Sequence, residues 1–187
     1  MFFACFWVYL LHNSYITMVK EDFSVEIKEE PISRSDYETE RNKPMPNRIH
    51  GTIQTAITVA LSIAYRSDFS FPNEVTLNKS PIATPDICIY PKKKLHIKES
   101  EVRETEMPLT TIEIQSPFQS PDELFHKAWD VYFPAGVKSA WIVIPTLKAI
   151  RVLMPDDQNL LFTAGTIHDP TTGIELPLEK VFEDVDL

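Results

Sequence analysis

Between Arg48 and Tyr65 the apolar residues Ile49, Ile53, Ala56, Ile57, Ala60, Leu61 and Ala64 recur at intervals of three and four, the period of a helix with one buried face. The period then changes. Short β-rich runs divided by proline and polar residues occupy 74–78, 86–90, 109–115, 140–144, 149–154 and 160–163. One further helix interrupts them over 121–133: Ser120 is its cap, Pro121 its first residue, Asp122 and Glu123 sit in its first turn, and Pro134 and Gly136 end it. The order helix, three strands, helix, two or three strands describes an α/β or α+β sheet with helices packed on it. The polar, charged stretch 92–107 is expected to be an exposed loop joining two central strands.

With 187 residues, 43% of them hydrophobic, the chain can bury one substantial core and fits one soluble domain better than two. Four glycines against fifteen prolines exclude collagen-like and Gly-rich disordered classes. Cys5 and Cys88 are too few for a disulfide framework or a cysteine zinc site, so a reducing, cytoplasmic compartment is expected. Residues 1–17 are apolar without lysine or arginine, which a signal peptide would need at its start, and the run is short for a bilayer span. The expected reading is a start placed too early, with Met18 opening a polar segment over 18–31 and the domain covering 32–187; a cleaved or anchoring leader is the alternative. Within that domain's first residues, Ser35 and Glu38 have the spacing of a capping box for one short helix.

The net charge of -9 argues against a protein that coats nucleic acid through many phosphate contacts. Charge is unevenly spread, however. Residues 41–98 hold nine Lys and Arg against three acids, so an acidic N-terminal stretch and an acidic tail flank a basic middle. That middle permits a local anion-binding face, although an ordinary solvated loop at Lys92, Lys93 and Lys94 explains it as well.

Two acids stand where strands predict apolar residues. Asp86 opens the run Ile87-Cys88-Ile89, and Glu113 lies inside Thr111-Ile112-Glu113-Ile114-Gln115, whose alternation puts the isoleucines on one face and the polar residues on the other. If the strands are neighbours, the two carboxylates come close, and like charges persist together only with a cation or a raised pKa. The plainer alternative is that Asp86 caps a turn after Pro85 and Glu113 sits on a half-exposed strand. Lys127, three residues after Leu124 and four before Val131, emerges beside the buried stripe of its helix and can reach the sheet's polar face, or else snorkels over apolar surface.

Taken together, Thr84-Pro-Asp-Ile-Cys-Ile, Thr111-Ile-Glu-Ile-Gln-Ser-Pro, the helix bearing Lys127 and Tyr132, and Ala135-Gly-Val-Lys-Ser-Ala-Trp-Ile-Val resemble the Uma-type restriction endonuclease family of the PD-(D/E)XK nuclease superfamily. The likeness runs from about Ile32 to the C-terminus and takes in Lys43-Pro-Met-Pro-Asn-Arg-Ile-His and Gly173-Ile-Glu-Leu-Pro-Leu-Glu-Lys-Val-Phe. It implies a restriction-endonuclease-like mixed sheet flanked by helices, with Asp86 and Glu113 as ligands for Mg²⁺ or Mn²⁺ and DNA as substrate. It implies no membrane partner and allows a homodimer. The family's early acid falls on Glu40, without the glycine usual after it, and His50 matches a family position that a helix-capping histidine would also explain. Gln115 stands two residues after the Glu, where the superfamily motif usually has Lys; in many Uma-type members a lysine on the next helix, here Lys127, replaces it.

Two functions follow. One is a metal-dependent endonuclease in which Asp86 and Glu113 hold the ion, Lys127 stabilises phosphate charge and Gln115 positions water or the ion. The other is a nuclease fold that binds nucleic acid or a protein without cutting, which Gln115 and the net charge favour. A purely structural globule leaves the four matching segments unexplained, and no Ser- or Cys-based hydrolytic arrangement, Gly-rich phosphate loop or zinc cluster is in view.

Overall fold

Helix α1 (Arg48–Tyr65) starts at Asn47, whose side chain accepts the N–H of His50 at 2.8 Å and so satisfies one of the donors that a helix start leaves open. The computed structural model describes residues 45–99 and 101–186; Glu40, Met18 and the short helix expected at Ser35 lie outside them. The described residues belong to one compact unit, 35–187.

The buried stripe of α1 is His50, Ile53, Ile57 and Leu61. Ile49 and Ala64, expected on that face, are exposed. Four-residue steps turn a helix row by about 40° each, so the row has left the sheet by Ile49 and His50 takes its place. Burying each of the three aliphatic residues contributes about 1.5–3 kcal/mol, enough to seat the helix on the sheet.

Six strands lie in the spatial order of the chain: β1 (Phe69–Ser70), β2 (Ile87–Pro91), β3 (Thr110–Ile114), β4 (Ser139–Ile144), β5 (Ala149–Leu153) and β6 (Asn159–Phe162). All neighbours are antiparallel except β3 and β4, which are parallel. A parallel pair cannot be closed by a tight hairpin, and the crossover here is α2 (Pro121–Lys127), a π-helical turn (Ala128–Tyr132) and α3 (Phe133–Ala135). Ser120 caps the crossover with Pro121 first, as expected, and Glu123 completes a capping box with it; Gly136 ends the crossover at φ 103, where a side chain would be strained.

Every residue of β3 and β4 is buried because both faces of the sheet are covered. On one face, Ile87, Ile89, Ile112, Ile114, Trp141 and Val143 pack with α1, a hairpin of β7 (Thr166–His168) and β8 (Glu175–Pro177), and α4 (Leu178–Phe182). On the other, Cys88, Ala140 and Ile142 pack with Leu124, Ala128 and Tyr132 of the crossover. The order helix, strands, helix, strands therefore holds, as an α+β layer structure with a mixed sheet.

Two expectations change. Residues 74–78 form no strand: Glu74 takes φ 58, in the left-handed region, and only isolated bridges from Leu77 to Ala83 and Glu104 remain. The edge position goes to the two-residue β1 instead. Residues β7, β8 and α4 add a C-terminal cover whose pieces are too short to show a period. The described part of 92–107 is a long, largely exposed loop between β2 and β3 with one 3-10 turn, Ile97–Glu99. Cys88 is buried and forms no disulfide among the described residues, and no helix among them is long and apolar enough to cross a membrane.

Candidate active site

Ile87 faces Ile112 and Cys88 faces Thr111 across β2 and β3. Asp86 immediately precedes β2 and Glu113 lies within β3; Glu113 meets Lys127 of α2, whereas the Asp86 carboxylate meets His50 of α1 and the backbone of β3. Asp86 is 0% and Glu113 3% exposed, so the chain buries one carboxylate just before a strand and another inside the neighbouring strand. Neither the turn cap nor the half-exposed strand residue considered from sequence describes them.

Each acid is gripped from a different layer. Asp86 Oδ2 accepts the Ile114 N–H at 2.7 Å and faces His50 Nε2 of α1 at 3.1 Å. The Asp86 carbonyl accepts from Gln54 Nε2 at 2.8 Å and from the Glu74 N–H at 3.1 Å, which anchors the backbone as well. Glu113 Oε1 lies 2.7 Å from Lys127 Nζ and accepts the Tyr132 hydroxyl. The Lys127 side chain is only 16% exposed, so the ammonium is turned inward onto the acid rather than to solvent.

The π turn makes that double grip reachable. Positions five apart on an α-helix point about 140° away from each other; the wider turn over Ala128–Tyr132 swings Tyr132 back toward Lys127, whose Nζ lies 5.6 Å from the tyrosine ring centre. Burial first, then the Glu113 charge and the hydrogen bond to it, push the Tyr132 phenol well above its usual range, which keeps it a donor.

Gln115 continues the ladder by donating its N–H to the Val143 carbonyl at 2.9 Å, and its side chain shares a face with Glu113. Its amide nitrogen donates to the Gln119 carbonyl at 2.6 Å, which leaves Oε1 buried without a partner among the described residues. Glu40 cannot be placed, because it lies outside the described residues. Lys92, Lys93 and Lys94 follow the last residue of β2, about 16 Å along the strand from Asp86 at 3.3 Å per residue, and Lys93 pairs with Glu106. The basic stretch thus leaves the sheet at the end remote from the two acids.

His50 does not cap its helix, since Asn47 does; the ring reaches Asp86, 36 positions away in the chain. A third buried carboxylate, Asp169, escapes notice in the sequence because Asp169-Pro-Thr-Thr-Gly reads as a surface turn. Two surface hollows of about 920 and 850 Å³ lie against α4 and between α1 and α4; neither contains Asp86 or Glu113.

A six-strand mixed sheet with one parallel pair, crossed over by a helix and covered by helices on both faces, is the restriction-endonuclease-like fold. The same architecture occurs in a solved structure described as a putative nuclease belonging to DUF820 from Anabaena variabilis, at TM-score 0.63 and 19% identity over 75% of this chain and 83% of that one. Residues 24–184 match the Uma2 family, described as "Putative restriction endonuclease", and the chain belongs to that family. Comparison with curated proteins returned no match.

Proposed function

We propose that this chain is a metal-dependent endonuclease that hydrolyses DNA phosphodiesters, with Asp86 and Glu113 holding Mg²⁺ or Mn²⁺. The observation that carries this reading is the pair itself: one buried carboxylate just before β2 and another within the neighbouring β3, with the inward Lys127 ammonium on Glu113. Among the described residues no set of three or more His, Cys, Asp or Glu surrounds a point, so a nitrogen- or sulfur-rich zinc site is not the match. The donor set is oxygen: two carboxylates and the unpartnered Gln115 Oε1, which suits a hard cation that keeps several waters. Such an ion, when bound, polarises the phosphodiester and activates water for attack.

The protein's own residues do the rest. Lys127 brings a positive charge to the place that Gln115, uncharged, cannot supply, and stabilises charge developing on the phosphate. Tyr132 holds Glu113 in one orientation from beneath. Gln115, tied at its nitrogen, presents its oxygen to the ion or to water. A second reading, binding without cutting, is favoured by the same Gln115 and by the net charge of -9.

Incubation of the purified protein with supercoiled plasmid and with single-stranded DNA, in Mg²⁺, Mn²⁺ or chelator, separates the two. Cleavage is expected with the metals, absent with chelator, and lost in Asp86→Ala and Lys127→Ala. Cleavage that survives Asp86→Ala would refute the assignment, and DNA binding with no cleavage under any metal would leave the second reading.

A further inference from the structure

We infer that His50 is a positioning residue for Asp86, fixing the rotation of that carboxylate so that it and Glu113 can share one cation; this rests on the metal-dependent reading above. His50 is 2% exposed, and its backbone N–H is pinned by the Asn47 side chain. From there the ring projects to Asp86, placing Nε2 3.1 Å from Oδ2. Because a carboxylate oxygen accepts, the proton in this contact sits on Nε2; Nδ1 is buried and has no partner, as befits the nitrogen without a proton.

The contact has a mechanical consequence. Two donors converging on Oδ2, one from β3 and one from α1, fix its plane and thereby the position of its other oxygen. Glu113 is treated in the same way from the opposite layer, where Lys127 and Tyr132 both meet Oε1. Each acid thus has one oxygen held by two groups, and the two holding helices lie on opposite faces of the sheet. Groups that orient a ligand in this manner are commonly as important to metal affinity as the ligand's own charge. His50 is not itself placed to be a ligand, since Nε2 is engaged with Asp86 and Nδ1 is enclosed.

The test is Mn²⁺ binding by calorimetry, with no DNA present, on the full chain and on His50→Gln, His50→Phe and Asp86→Ala. Glutamine keeps an N–H donor at similar reach, whereas phenylalanine keeps the ring volume without it. We expect His50→Phe to weaken Mn²⁺ binding by about 10–100-fold and His50→Gln to restore it to within a few-fold of the unsubstituted chain. A folded His50→Phe with unchanged affinity, or a His50→Gln as weak as His50→Phe, would overturn the positioning role while Asp86→Ala still abolished binding. Absence of Mn²⁺ binding by the unsubstituted chain would overturn the metal reading and the inference with it. The ¹⁵N resonances of His50 in the unsubstituted chain supply a check that needs no variant: the proton is expected on Nε2, with a shift on Mg²⁺ addition, and a proton on Nδ1 alone would overturn the inference.

Discussion

Strand β3 has a buried carboxylate arrangement at each end, and the two are opposite in kind. At its start, Asp169 Oδ2 lies 2.7 Å from Ser139 Oγ, 3.0 Å from Trp141 Nε1 and 3.1 Å from Thr110 Oγ1, while Oδ1 accepts the Thr171 N–H at 2.8 Å. The two hydroxyls are also 2.6 Å apart, so each proton has an acceptor and the acid has donors on both oxygens. Every one of these donors is neutral. At the other end, Glu113 Oε1 meets the Lys127 ammonium and the Tyr132 hydroxyl, Asp86 Oδ2 meets His50 Nε2 and the Ile114 N–H, and the Gln115 amide oxygen is buried without a partner among the described residues. A carboxylate surrounded by neutral donors holds the fold together; in the function proposed above, the second arrangement is the one that a cation completes.

If that contrast is right, substitutions at the two ends should fail in different currencies. The largest effect belongs to the acid pair: Asp86→Ala is expected to lower Mg²⁺-dependent cleavage by about 1,000-fold, while its melting temperature moves less than that of Asp169→Ala, whose carboxylate accepts from more groups. Asp169→Ala comes next. It removes the acceptor of three buried donors and should cost on the order of 3–5 kcal/mol of stability, lowering the melting temperature by roughly 10 °C or more, with Mn²⁺ affinity of the folded protein unchanged. Calorimetric melting and Mn²⁺ titration of both variants decide whether the roles divide in this way.

A smaller effect is expected at Lys127→Met, which keeps the stem but removes the charge. Cleavage should fall by about 100-fold with Mn²⁺ binding retained; equal loss of both would make Lys127 a structural counter-ion of Glu113 only. Smallest is Tyr132→Phe, which removes one donor from Glu113 and should cost about 1 kcal/mol. Its pH dependence is more telling. The folded state raises the Tyr132 pKa, so it holds the proton that the unfolded chain releases near the usual value of 10.0. Stability from this group is therefore full below that pH and is lost as pH rises beyond it. Alkaline unfolding curves of Tyr132→Phe should consequently decline less steeply above that point than those of the unsubstituted chain.

What could be read in advance follows the range of the forces involved. The two long helical segments announce themselves through period and local capping, and the Ser120–Glu123 box forms with Asp122 N 3.2 Å from Ser120 Oγ. The acids at 86 and 113 were legible because one opens an apolar run and the other lies inside one, a local contradiction that asks for a reason. Nothing local marks the π turn, which arises where the crossover must bring Lys127 and Tyr132 to one carboxylate. His50 looked like a helix start, and only the folded chain reveals that the start is Asn47 and that the ring serves Asp86. Asp169 was hidden in the same way: one oxygen makes the turn that its sequence advertises, while the other reaches inward to Trp141.

The most direct test is a crystal of the unsubstituted protein equilibrated with Mn²⁺ and measured at an anomalous wavelength. The expected result is a single strong peak between the carboxylates of Asp86 and Glu113, absent from a crystal of Asp86→Ala. A fully exchanged crystal that shows no peak there, from a preparation that cleaves DNA, would contradict the assignment of these two acids as the metal site.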